Sequence, residues 1–291
     1  MSAAPGRRAA ADASANLVDG EFPFTQDDFD RIAALLYADS GIHLPGSKAS
    51  LVYSRLARRL RALGLPTFME YCKLVSGDGG ETERRAMMSC LTTNLTRFFR
   101  EPHHFDHLAE KVLPQMLTAA KAGARVRIWS AGCSSGEEPY SIALTVLATA
   151  PALADADFRI LATDIDPLIV RRARDGIYNE DSLSSIPAAM RGKWLEKSGD
   201  QWSIGQAARQ LIVFNELNLM GDWPMKGRFQ AIFCRNVAIY FDEPTQTRLW
   251  GRFAERLNEG GRLYIGHSER AACDRLETDG LTTYRVKGPV R

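Results

Sequence analysis

Two adjacent glutamates, Glu137 and Glu138, stand in the stretch SAGCSSGEEPYSIAL, Ser130 to Leu144, where an apolar run turns through glycines into a helical pattern. This order is the form of a nucleotide loop, and the free N–H groups of a helix start favour anions. Two carboxylates at the mouth would repel a phosphate. The glycine spacing is also wrong for one: Gly132 and Gly136 enclose three residues, whereas a dinucleotide turn needs G-x-G-x-x-G and a Walker loop needs Gly-Lys-Ser/Thr. The pair suits a cationic guest.

S-adenosylmethionine occupies the same kind of sheet crevice without any phosphate, and it carries a sulfonium and an α-ammonium. A carboxylate at the loop attracts it. About thirty residues downstream, LATDIDP supplies Asp164 and Asp166 at the end of the next apolar run, and an acid at that point, Asp164 first, holds ribose hydroxyls. Taken alone, two acids in a first helical turn would only complement the helix dipole. The combination with Asp164 weighs against that simpler reading.

Other reactive groups have weaker context. Cys133 lies in the loop without a histidine placed to activate it, so it reads as a small packing residue. His103 and His107 fall at i, i+4 in HHFDH, a spacing open to a metal. No cysteine or Glu-x-x-His pattern accompanies them, and no metal is expected.

The elements that must hold these residues follow from periodicity. Residues 1–20 are Ala-rich without recurring large apolar side chains and read as a disordered tail. From Thr25 the pattern is helical: Thr25 and Asp28 form a capping box, Phe29, Ile32, Ala33 and Leu36 share a face, and Gly41 stops the helix. Further helices are expected near 47–63, 67–76 and 81–93, giving a small all-helical domain over 21–93. A linker and a helix opened by Pro102 follow over 94–124. From 125 to 291, RVRIWSA, FRILATD, RFQAIFCRN and GRLYIGHSE alternate with helical segments, the rhythm of a doubly wound parallel sheet of the Rossmann-like α/β class. Between about 176 and 219 the rhythm breaks. QWSIGQ and RQLIVFNELNL read there as short antiparallel strands of an inserted β-subdomain, after a helix at 187–196.

With 291 residues and 45% apolar content the chain can bury a large core. No apolar run is long enough to span a bilayer, and Arg7 and Arg8 lack the apolar stretch of a signal peptide, so a cytoplasmic protein is expected. Five cysteines without a C-x-x-C pair indicate neither a disulfide framework nor zinc. The net charge is only +2, but Gly41 to Met69 holds Lys48, Arg55, Arg58, Arg59 and Arg61 and no acid. Arg55, Arg58, Arg59 and Arg61 lie at helical spacing and make a basic face for an acidic partner.

LTTNLTRFFREPHHF, WSAGCSSGEEPYSIA, ATDIDP, ELNL and FCRNVAIYF resemble, in order and over about residues 24–270, the chemoreceptor glutamate O-methyltransferases, the CheR family. The resemblance implies a helical N-terminal domain, a class I methyltransferase domain with a small β-subdomain, and S-adenosylmethionine as methyl donor. It implies that Asn94, Thr96 and Arg100 touch the cofactor or the reacting centre, that Glu137 takes the methionyl end, with Gly132 in the same loop, and that Asp164 takes the ribose. Asn218 and Leu219 would flank adenine, Arg235 and Asn236 would line the site, and Tyr240 would sit beside the departing methyl; Arg100 and Tyr240 are the expected catalytic aligners. The substrate would be glutamate side chains on the cytoplasmic helical bundle of a chemoreceptor, met by the basic helix. A monomer is expected.

A glutamate is already ionised at neutral pH, so no general base is required. Alignment of carboxylate, methyl and sulfur, worth up to about 7–11 kcal/mol, and exclusion of water remain for the protein. Some family members grip a tethering receptor peptide through a glycine-containing loop of the β-subdomain. LEKSGDQWSIG is short there, and independence from such a peptide is expected. Two competing readings are a sensor that binds the cofactor without turnover and a nucleic-acid methyltransferase. CRNVAIYF lacks both the Asn/Asp-Pro-Pro-aromatic and the Pro-Cys motifs of the latter.

Overall fold

The computed structural model describes residues 16–288, which divide into two compact units, Met1–Thr93 and Asn94–Arg291. The disordered-tail expectation falls, for residues 1–15, outside the described residues. Residues 16–20 differ from it: the Leu17 N–H bonds the Phe24 carbonyl at 2.8 Å, and Val18 packs on the helical core.

Among the described residues the first unit has four α-helices, α1 (Gln26–Ser40), α2 (Ala49–Leu63), α3 (Phe68–Ser76) and α4 (Glu81–Leu91), with a 3₁₀ turn at Gly46–Lys48 leading into α2. The capping box is formed, with Thr25 Oγ1 accepting from the Asp28 N–H and the Asp28 carboxylate accepting from the Thr25 N–H, and α1 stops at Gly41. One face of each helix meets in a core around Ile32, Leu56, Leu60, Phe68 and Tyr71, all fully buried.

The second unit begins with α5 (His103–His107), which passes through a π-type stretch into α6 (Leu113–Lys121). Next come β1 (Val126–Ala131), α7 (Glu137–Thr149), β2 (Phe158–Asp164) and α8 (Pro167–Asp175). A small antiparallel sheet follows, from β3 (Ile177–Asn179), then α9 (Ala188–Trp194), β4 (Leu195–Ser198) and β5 (Gln201–Ile204), ordered β3-β5-β4. After α10 (Gln206–Arg209) the chain returns to the main sheet as β6 (Ile212–Glu216), β7 (Phe229–Cys234), α11 (Glu243–Arg256), β8 (Leu257–Ile265), β9 (Leu276–Gly280) and β10 (Thr283–Val286).

The main sheet has the order β6-β2-β1-β7-β8-β10-β9, parallel except where β10 runs antiparallel to both β8 and β9. This is the doubly wound, mostly parallel arrangement expected from the alternating elements. One expectation fails: Ile212–Glu216, read as a strand of the antiparallel insertion, pairs in parallel with β2 from Ile160↔Ile212 to Asp164↔Glu216. Its alternating pattern is that of an edge strand buried on one face, and alternation does not say which sheet it joins. Helix α7 is buried on nearly every side from Glu137 to Val146, because α9 and α10 cover the side away from the sheet. Among the described residues, no helix is long and apolar enough to cross a membrane.

Leu56 has no exposed surface and sits at the centre of the helical unit. Leu56→Ala is expected to cost about 2–5 kcal/mol, read as a lowered urea midpoint in a fluorescence titration.

Candidate functional site

Strand order reverses direction between β1 and β7, so a crevice opens at their carboxyl ends. The turn after β1 is pinned there: the N–H groups of Gly132 and Cys133 both bond the Thr163 carbonyl, at 2.8 and 2.9 Å. Gly132 has φ +83°, and a Cβ on it would lie 2.4 Å from Cγ2 of Val237, in the loop after β7. Only glycine lets the two loops meet. Asp164, at the end of β2, accepts from the Ser134 N–H at 2.8 Å and from the Asp166 N–H at 3.1 Å. Burial pushes its carboxyl above the usual range, and these backbone donors oppose that shift. Each carboxylate oxygen keeps further acceptor capacity for a ligand hydroxyl.

The two glutamates of the loop have different partners. Glu138 accepts from Ser130 Oγ at 2.7 Å and faces the Arg235 guanidinium at 3.3 Å. It is an internal counter-ion. Glu137 accepts from Ser135 Oγ at 2.6 Å and has no ion pair among the described residues. Burial raises the pKa of both, countered at Glu138 mainly by Arg235 and at Glu137 mainly by the Ser135 hydroxyl. A buried carboxylate without a cation is the group that gains most from a positively charged guest.

The loop from Asn94 to Glu101 is anchored from both ends. The Asn94 carbonyl accepts from Ser134 Oγ at 2.9 Å, and its amide donates to Asp166 at 3.3 Å. The Phe99 N–H bonds Ser141 Oγ at 2.9 Å. Phe99 and Glu101 both have positive φ, as do Ser134 and Asn236; four of the five such non-glycine residues described lie in the crevice loops. Strained backbone concentrates where geometry is imposed by the surroundings. Arg100 is half-buried, and its guanidinium donates to the Leu95 carbonyl at 3.4 Å, without a carboxylate partner among the described residues. Thr96 is half-buried, and its hydroxyl has no bond among the described residues.

Glu101 was not singled out in the sequence, yet it is a hub. Its two oxygens take the His267 ring at 2.8 Å and the Arg235 guanidinium at 3.2 Å. Burial would raise its pKa, but the His267 and Arg235 bonds outweigh this and hold it down to about 2. Arg235, expected to line the site, is instead buried between Glu101 and Glu138, donates to the Arg100 carbonyl and lies over the Phe105 ring. It acts on the crevice through the loops it holds. Its Nε and the Oδ1 of Asn236 are buried without a partner among the described residues.

A second residue missed in the sequence, Glu269, shapes the loop after β7. Its carboxylate accepts from the N–H groups of Asn236, Ile239 and Gly266, at 2.9, 3.2 and 2.5 Å. A Cβ on Gly266 would come within 2.8 Å of the Asn236 backbone nitrogen, so the two loops need that glycine. Tyr240 is half-buried on the short 3₁₀ turn that follows, its hydroxyl unbonded among the described residues. On the far side of the crevice, Asn218 Oδ1 accepts from the Met220 N–H, and the Leu219 carbonyl takes bonds from Trp223 and Arg252. Leu219 is buried and presents an apolar wall.

Gly132, Asn94, Glu137, Asp164 and Asn236 thus belong to loops that converge on one crevice. It offers a buried carboxylate without an ion pair among the described residues, a second acid with spare acceptor sites and an orphaned amide oxygen. This set is chemically compatible with a guest that carries a cation and hydroxyl groups, as S-adenosylmethionine does. Burial pushes the Cys133 thiol well above its ordinary value, which suits packing. His103 and His107 do not converge. His103 and His104 turn to Thr282, at 3.4 and 2.8 Å, and His107 to Tyr264 and Asp279.

Within the helical unit, the basic face is partly used by the fold itself. Arg55 donates to the carbonyls of Cys90, Leu91 and Thr92, capping the end of α4. Arg59 pairs with buried Glu83, which also accepts from Tyr71. Arg61 pairs with Glu21. Arg58 is exposed and has no partner among the described residues.

Residues 94–283 match the family described as CheR methyltransferase, SAM binding domain, and residues 27–92 match CheR methyltransferase, all-alpha domain. The chain is 55% identical over 258 residues to a probable chemotaxis protein methyltransferase of Rhizobium etli, covering 86% of this chain and 96% of that one. It is 43% identical over 271 residues to chemotaxis protein methyltransferase 2 of Pseudomonas aeruginosa, covering 91% and 94%. To a chemotaxis protein methyltransferase of Klebsiella aerogenes it is 41% identical over 252 residues, covering 85% and 84%.

His104 is held neutral near this site, its pKa lowered from 6.5 to about 3 by burial and then by the charge of Arg235. The folded value lies below the unfolded one, so the unfolded chain takes up the proton first as pH falls. Its contribution is complete above pH 6.5 and is lost progressively from 6.5 toward 3. His104→Gln is expected to flatten the fall of the urea midpoint between those pH values relative to the unmodified chain.

Proposed function

The chain belongs to the CheR methyltransferase family, and on that premise we propose that this S-adenosylmethionine-dependent methyltransferase acts on the side-chain carboxylates of glutamates in the cytoplasmic helical bundle of chemoreceptors. The products are glutamyl methyl esters and S-adenosylhomocysteine, and the setting is the cytoplasm. The observation that carries the reading is Glu137: a buried carboxylate with no ion pair among the described residues, at the carboxyl edge of a parallel sheet, beside an Asp164 with acceptor sites to spare.

The cofactor supplies a methyl group made electrophilic by its sulfonium. Glu137 binds the α-ammonium and Asp164 the ribose. Asn218 and Leu219 form the side against the adenine, while Asn94 and Thr96 close the opposite wall. The attacking glutamate is ionised at neutral pH, so the protein has to orient it and strip its water. Arg100, whose guanidinium no carboxylate of the chain neutralises among the described residues, holds the incoming carboxylate. The Tyr240 hydroxyl is the second aligning donor. Attack cancels a negative and a positive charge, so a dry crevice favours the transition state over the separated ions. Arg235, Glu138, Glu101 and Glu269 are positioning residues that fix the loops bearing these groups.

Substrate docking is assigned to the basic face of α2. Arg58 carries it most directly, since reversing Arg55 or Arg59 would break the capping of α4 or the bond to Glu83. The β4–β5 hairpin closes from Ser198↔Gln201 through the two residues Gly199 and Asp200. A turn so short offers little loop to a tethering peptide, and the reaction proceeds without one.

Tritiated methyl transfer from S-adenosylmethionine into receptor-containing membranes is expected to give counts released as methanol by base. Base-stable counts in RNA or DNA, or no transfer at all, would overturn the assignment. Glu137→Gln is expected to weaken cofactor binding about tenfold, or ~1.4 kcal/mol, by calorimetry. Arg100→Ala should lower kcat about 100-fold with cofactor affinity little changed. Arg58→Glu should raise the KM for receptor and leave cofactor binding intact. Tight calorimetric binding of a receptor C-terminal pentapeptide would refute independence from tethering.

A further inference from the structure

Helices α6, α7 and α8 cover one face of the main sheet, packing on Val126, Ile128, Ile160, Ile212 and Phe214. On the other face the side chains alternate with these: Arg127 and Trp129 on β1, Arg159 and Leu161 on β2, Val213 on β6, held side by side by the register. Trp129 is covered there by Trp223 of the β6–β7 connection and Phe253 of α11. Next to it the cover ends, because residues 217–228 run from β6 to β7 without a helix. Val213 is left 44% exposed on a strand.

A cavity of about 520 Å³ opens at this place. Leu161 and Val213 lie in its wall, and Arg125, Arg127, Arg159, Lys226 and Arg228 surround them. Among the described residues, the one carboxylate that any of the five bonds is Asp157, shared by Arg125 at 3.3 Å and Arg127 at 2.5 Å. Arg127 also donates to the carbonyls of Val126 and Asp157, which fixes its fork. Arg159 bonds the Phe158 carbonyl; Lys226 and Arg228 have no partner among the described residues. One carboxylate against five cations, four of them exposed, leaves a local positive field that attracts an anion from solution. An anion of phosphate type suits arginine forks, and the exposed apolar wall suits a flat ring, over which a guanidinium can also stack. The volume falls within the roughly 300–1,000 Å³ of small-molecule sites.

We infer that this cleft is a second ligand site, for a nucleoside phosphate, with the ring on Leu161 and Val213 and the phosphate on Arg127, Arg159 and Arg228. It lies at the amino ends of β1, β2 and β6, whereas the cofactor crevice lies at their carboxyl ends. Leu161 in the cleft's wall stands three residues, about 10 Å along β2, from Asp164 in the crevice, and the two sites open at opposite ends of the strands.

The test is calorimetric titration of ATP, GTP and pyrophosphate into the full chain saturated with S-adenosylhomocysteine. ATP or GTP is expected to bind saturably, with pyrophosphate at least tenfold weaker. Arg159→Glu/Arg228→Glu should weaken the nucleotide at least tenfold while S-adenosylhomocysteine affinity is unchanged. The single Val213→Glu variant, at an exposed position, provides the same comparison should the double variant fail to fold. The inference is overturned if no nucleotide binds below about 1 mM, if saturation with S-adenosylhomocysteine abolishes binding, if pyrophosphate binds equally well, or if the folded variants bind like the unmodified chain.

Discussion

One buried cation organises the crevice. Arg235 leaves the end of β7 and is enclosed by Glu138 from the first turn of α7 and Glu101 from the loop before α5. Each of these three sits on a different segment, and His267, after β8, is attached through Glu101. A charge so deeply desolvated is costly without its partners; breaking such a pair by deleting one member typically costs about 3–5 kcal/mol. The four segments are therefore fixed relative to each other by a single electrostatic demand, and the strained φ values of Phe99, Glu101 and Asn236 are sustained by it.

The neighbouring glutamates show how one dipeptide divides its labour. Consecutive residues on a helix point about 100° apart, so Glu138 turns inward to Arg235 while Glu137 takes another direction toward Ser135. The apparent surplus of acid at the loop is thus divided: Glu138 is taken up by Arg235, and Glu137 keeps no ion pair among the described residues. Asp164 ties Ser134 and Asp166 together and still has acceptor capacity to spare.

What could be read from the chain was what depends on near neighbours. The Thr25–Asp28 box, the stop at Gly41, the strand–turn–helix at Ser130 and the acid closing β2 are all local patterns, and the structure has them at those positions. Glu101 and Glu269 were missed because the partners that give them their roles, Arg235 and Asn236, are 134 and 33 residues away. Ile212–Glu216 was assigned to the wrong sheet because alternation reports burial on one face and is silent about which strand lies alongside. Arg55 and Arg59 look, by spacing, like an open basic face, and only the fold reveals that α4 takes up both. The exposed Val213 likewise reads as an ordinary strand valine until the missing cover between β6 and β7 is seen.

The order of the last strands has a bearing on folding. Strand β9 precedes β10 in the chain, yet it reaches the sheet only through β10, which stands between it and β8. Until β10 is in place, β9 has no seat in the sheet and β8 keeps an open edge. The helical unit, with its local contacts, can be complete long before that. The β9–β10 hairpin then closes that edge as one unit and, through Thr282, brings the His104 ring into place.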